Sequence, residues 1–147
     1  MKKALIILGS LFTFYNVSAQ EIGIRFGSGI GNNVAIDGIL AIGEYNRVHA
    51  DLTFSGQGIG AAALWNFTFE PINDFPDLHW YMGAGPFAVI GDNFDLGVAG
   101  EIGIEYQFLD IPLIIGLDWR PALEVIDHTS FSASGFGLNV RYQFNRE

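Results

Sequence analysis

The chain has 147 residues, half of them apolar and 14% aromatic, with seven basic and sixteen acidic side chains and a formal charge of −9. So acidic a balance argues against nucleic-acid binding, which wants a basic patch. The absence of cysteine removes disulfides, thiolate nucleophiles and thiolate metal sites from consideration.

The chain begins with the pattern of an export signal. Lys2 and Lys3 supply a positive start, Ala4 to Phe14 is an apolar run, and Val17-Ser18-Ala19 is a small-residue cleavage site. The run is shorter than the roughly 20 apolar residues that a membrane-spanning helix needs. The expected division is a signal peptide over 1–19, cleaved after Ala19, and one domain over 20–147. The remaining chain keeps five arginines, no lysine and all sixteen acids, for a formal charge of −11.

Beyond Gln20 no sustained 3.6-residue apolar period appears. Alternation with period two recurs instead, broken by Gly, Asn, Asp and Pro clusters. The pattern predicts eight strands, at about 21–29, 34–43, 47–55, 59–70, 78–90, 94–108, 112–121 and 131–144. In the third, Val48, Ala50, Leu52 and Phe54 alternate with Arg47, His49, Asp51 and Thr53. In the sixth, Phe94, Leu96, Val98, Ile102, Ile104, Tyr106 and Phe108 alternate with a face holding Asp95, Glu101 and Glu105. In the seventh, Leu113, Ile115, Leu117 and Trp119 alternate with Ile114, Gly116, Asp118 and Arg120. In the eighth, Phe136, Leu138, Val140, Tyr142 and Phe144 alternate with Gly135, Gly137, Asn139, Arg141 and Gln143. Pro86 predicts a bulge or an early end to the fifth strand, because a closed barrel has no edge on which to place a proline.

One face is thus apolar and the other charged or glycine-rich. A soluble lipocalin-like barrel would turn the apolar face inward around an apolar ligand. A membrane barrel turns it outward, toward lipid. Three features favour the second arrangement. The polar-face residues are often small, as the narrow interior of an eight-stranded barrel requires. No lysine remains to coat solvent-exposed strands. Aromatics gather at strand ends that share one boundary: Phe67, Phe69, Trp80, Tyr106, Phe108, Tyr142 and Phe144. A one-residue register slip would turn Asp95, Glu101 and Glu105 toward lipid together, at several kcal/mol in one strand.

The last strand, with Leu138, Val140, Tyr142 and Phe144 on its outward face, resembles the C-terminal targeting strand of outer-membrane β-barrels. With Val17-Ser18-Ala19-Gln20 and Gly116-Leu117-Asp118-Trp119-Arg120-Pro121, the chain resembles the small, mostly uncharacterised barrels of the OmpA/OmpX-like class. That resemblance implies an all-β, eight-stranded antiparallel transmembrane barrel in the bacterial outer membrane. It implies outer-membrane lipids and the barrel assembly machinery as partners, and it transfers no activity.

The chemistry-bearing set is the inward charges. Arg25, Arg47, Arg120 and Arg141 face Asp37, Asp51, Asp95, Glu101, Glu105 and Asp118, with His49 among them. Unpaired buried charges are very costly, so these groups are expected to pair and plug the lumen. His49 and Asp51 share a face at i, i+2, but no sequence-local group completes a metal or catalytic site. His128-Thr129-Ser130 has the His/Ser spacing of lipid A deacylases, yet Phe131 stands where that motif has Asn. The glycine clusters Gly27 to Gly31 and Gly56 to Gly60 precede no helix and so are not phosphate loops. The expectation is a structural or accessory barrel with no catalytic, cofactor or metal residues. The alternatives are a binding module for a lipid or partner protein, and an outer-leaflet lipid-modifying enzyme.

Overall fold

The computed structural model describes residues 20–144 except 32, 56, 57, 70, 73, 127 and 128; the signal-peptide and His128 readings lie outside these residues. Ten strand segments are present: β1 Gln20–Gly27, β2 Val34–Ala41, β3 Asn46–Ser55, β4 Gly58–Thr68, β5 Leu78–Gly91, β6 Phe94–Gln107, β7 Leu113–Trp119, β8 Ala122–Ile126, β9 Ser130–Ser132 and β10 Phe136–Gln143. Every pairing is antiparallel. β1 pairs with β2 on one side and with β10 on the other, Glu21 opposite Gln143 and Gly27 opposite Gly137, so the sheet closes on itself. β7 with β8, and β9 with β10, form the seventh and eighth barrel strands, each in two pieces. The architecture is a closed, all-β, eight-stranded antiparallel barrel.

The seventh strand breaks at Arg120-Pro121 and resumes to Ile126, where the sequence predicted it to end at about 121. Pro121 has no N–H to give, but its carbonyl still accepts from Gly100 N–H at 2.9 Å, and β8 stays paired with β6 beyond it. The eighth strand takes an extra residue between Ser132 and Phe136, a bulge closed by Arg120 N–H donating to the Gly135 carbonyl at 2.7 Å. Pro86 behaves otherwise than predicted. β5 runs straight through it with neither bulge nor end, keeps Pro86 opposite Val98 of β6, and loses only the two pairs to Ala63 and Leu64 of β4.

The burial pattern inverts that of a water-soluble domain. Phe94, Val98, Ile102, Ile104 and Tyr106 of β6 are exposed while Ala99, Glu101 and Glu105 between them are buried. In β10, Leu138 and Tyr142 are exposed while Asn139 and Arg141 are fully buried. A lipocalin-like apolar interior therefore does not describe this barrel. Steric demand explains the inward glycines. A Cβ on Gly103 would strike the Tyr81 ring, and one on Gly137 would strike the Arg25 guanidinium. The lumen is not wholly polar. Ala62, Leu64, Phe87 and Ala99 form a small buried apolar cluster between β4, β5 and β6, with Ile30, Val89 and Ala122 against it.

Candidate functional site in the barrel lumen

The inward parity of each strand sends its charged side chains to the same enclosed space, where they meet partners from across the barrel. Arg47 of β3 donates two parallel bonds to Glu105 of β6, at 2.7 and 2.8 Å, the bidentate fit that a guanidinium makes with a carboxylate. Its Cζ lies 4.4 Å from the centroid of the Tyr81 ring, which adds a cation–π contact. Arg141 of β10 donates to the same Glu105 at 2.5 Å, and it reaches Asp37 at 3.5 Å and Glu21 at 2.8 Å. Arg25 of β1 grips Asp118 of β7 through Nε at 3.0 Å and a terminal nitrogen at 2.6 Å. Asn139 donates at 2.8 Å to Oδ2 of that carboxylate, the oxygen that also accepts from Arg25 Nε. The two arginines that flank the closing seam are thus each met by acids from other strands.

The centre of the network is Glu101. Its Oε1 accepts from Arg120 at 2.6 Å. Its Oε2 accepts from Asn66 at 2.7 Å and lies 2.9 Å from His49 Nδ1. The second ring nitrogen of His49 is hydrogen-bonded to Asp37, and the second terminal nitrogen of Arg120 to Asp51. A neutral imidazole carries one N–H, so the Asp37–His49–Glu101 trio closes only with a second hydrogen, on the ring or on a carboxyl.

The sequence-predicted residues divide cleanly. Arg25, Asp37, Arg47, His49, Asp51, Glu101, Glu105, Asp118, Arg120 and Arg141 are all buried in the lumen, the arginines and acids ion-paired and His49 hydrogen-bonded to Asp37 and Glu101. Asp95 is the exception. It is half-buried at one mouth of the barrel, beside Gly31, Ser55, Asp92 and Asn93, and takes no part in the described ion pairs. β6 is long enough to carry its first residues past the charged layer to that rim. Sequence reasoning omitted Glu21, Asn66 and Tyr81. Glu21 was findable, since it is two and four residues before Gly23 and Arg25 on one face.

The predicted aromatic group does share one end of the barrel. Phe69 stacks on Trp80 with centroids 3.8 Å apart, and Tyr106–Phe108 and Tyr142–Phe144 make edge contacts at 5.0 and 5.2 Å. At the opposite end, exposed Phe26, Phe54, Phe94 and Phe131 form a second set, which the sequence analysis did not pick out.

Neither a scan of protein-family models nor a search of curated proteins finds a match to this chain.

Proposed function

We propose that the protein is a small integral outer-membrane β-barrel of the OmpA/OmpX-like kind, exported by its N-terminal segment and non-catalytic, with a structural or accessory role and a lumen plugged by ion pairs. One observation carries this reading: the closed barrel exposes its large apolar side chains and buries its charges. A monomer in water rarely exposes contiguous apolar patches beyond a few hundred Å², whereas lipid requires such a surface. Aromatic side chains at both ends fit the two girdles of a membrane barrel.

Cell fractionation tests the location. The protein should appear in outer membranes, require detergent for extraction, and migrate differently on gels before and after boiling. A detergent-free soluble monomer would overturn the reading.

The plug makes a second prediction. A cavity beside Asp51 and Arg120 measures about 10 Å³, room for one water at most. Planar-bilayer recordings should show no stable large conductance, and a reproducible porin-sized step would defeat the plugged lumen.

The barrel assembly machinery is the expected partner during biogenesis, through Leu138, Val140, Tyr142 and Phe144. The first three lie on the outward face of the last strand, and Phe144, just past its end, is 58% exposed. Phe144→Ser removes no interior contact, so it should reduce the amount of inserted barrel while leaving the urea midpoint of inserted molecules nearly unchanged. Normal assembly of this variant would remove the targeting role.

A further inference from the structure

We propose that the lumen holds a divalent transition-metal site, of the zinc class, formed by Asp37, His49 and Asp51. One ligand atom from each of these three buried side chains lies within 4.8 Å of the other two. Asp37 and Asp51 stand directly opposite each other on β2 and β3, with His49 two residues before Asp51 on the same face. Like charges placed directly opposite across two strands repel, and a cation held by both would relieve this further than the separate contacts of Asp37 with Arg141 and of Asp51 with Arg120.

Three further observations favour a metal ion. His49 already has the partner that a metal-bound imidazole ordinarily has: its Nδ1 meets Glu101 Oε2 at 2.9 Å, which orients the ring and turns Nε2 toward Asp37. That Glu101 carboxylate is itself anchored by Asn66 and Arg120. Asp51, only 5% exposed, spends one oxygen on Arg120, and its Oδ1 has no hydrogen-bond partner. Finally, among the described residues the buried carboxylates are Glu21, Asp37, Asp51, Glu101, Glu105 and Asp118, against the guanidiniums of Arg25, Arg47, Arg120 and Arg141. The arginines leave two negative charges unmatched, which either two hydrogens on the lumenal groups or one divalent ion, with His49 neutral, would balance. Imidazole with carboxylates is a donor set that zinc-class ions accept. The ion would replace the hydrogen between His49 Nε2 and Asp37, and these two atoms would open to about 3.3 Å, as bonds of about 2.0–2.1 Å at tetrahedral angles require.

The test uses the full chain, refolded in detergent with and without Zn²⁺ and then desalted. About one zinc should remain per barrel, and its X-ray absorption spectrum should show one imidazole nitrogen with oxygen ligands. His49→Gln and Asp51→Asn should each lower retention at least tenfold, while Asp95→Asn, at the barrel mouth, should retain zinc like the parent. Failure of the parent to retain zinc would overturn the site. So would a shell without nitrogen, or retention unchanged in both ligand variants, since those results place the ion on surface acids. If the ligand variants do not fold, the parent's stoichiometry and spectrum decide alone.

Discussion

Arg141→Ala should insert into membranes but unfold at a lower urea concentration, with a loss of about 3–5 kcal/mol. The side chain is fully buried. It serves Glu105 at 2.5 Å, Glu21 at 2.8 Å and Asp37 at 3.5 Å, so its removal takes a cation from acids on β6, β1 and β2 together. Breaking a buried pair by removing one partner leaves an uncompensated charge, which costs far more than the pair contributes. Glu105 keeps Arg47 and Asp37 keeps His49, but Glu21 has no other ion pair among the described residues. Arg141→Lys should recover only part of the loss, because one ammonium cannot reproduce a planar fork aimed at three carboxylates. The outward surface of β10 is untouched, so insertion should be normal. The measurement is urea titration of heat-modifiable gel mobility. A midpoint equal to the parent's would show that the inward network contributes nothing at this residue.

How much of this was legible in the sequence depended on contrast between the two faces of each strand. β3, β6, β7 and β10 set large apolar residues against charges or glycine, and their inward sets follow from parity alone. β4 and β5 lack that contrast. Their outward faces carry Ala61, Ala63, Ala84, Pro86 and Ala88, while Leu64, Tyr81, Phe87 and Val89 point inward beside Asn66. Alternation there is nearly flat in hydrophobicity, so Asn66 and Tyr81 passed unnoticed, as did the interior apolar cluster. Partner choice was also beyond sequence reasoning. Parity says that Arg47 and Glu105 face inward, but which carboxylate meets which arginine depends on strand tilt and stagger around the barrel. The same holds for Asp37, which completes a three-residue cluster with His49 and Asp51 only because β2 and β3 pair in the register that sets Asp37 opposite Asp51.

Glu101→Ala should match or exceed the loss at Arg141, because Glu101 is where three donors converge. Arg120, Asn66 and the His49 ring all meet its two oxygens between 2.6 and 2.9 Å, and its side chain is fully buried. Removing the carboxylate leaves Arg120 with Asp51 alone and Asn66 without its acceptor, at about 3–5 kcal/mol for the broken buried pair and a further 1–3 kcal/mol for an unsatisfied polar group. Glu101→Gln should cost less, since its amide oxygen still accepts from one donor, but its NH₂ group then faces another. A double-mutant cycle separates the network from simple additivity. Arg120→Met removes the guanidinium that pairs with Glu101 while keeping much of its length. Starting from Arg120→Met, the further change Glu101→Ala should cost less than it does in the parent, by a coupling of about 0.5–3 kcal/mol. Urea midpoints of the four proteins, each folded in the same detergent, give that number. Strictly additive losses would mean that Glu101 and Arg120 stabilise the barrel independently, and the continuous plug running from Asp51 through Arg120 and Glu101 to His49 and Asp37 would have to be given up.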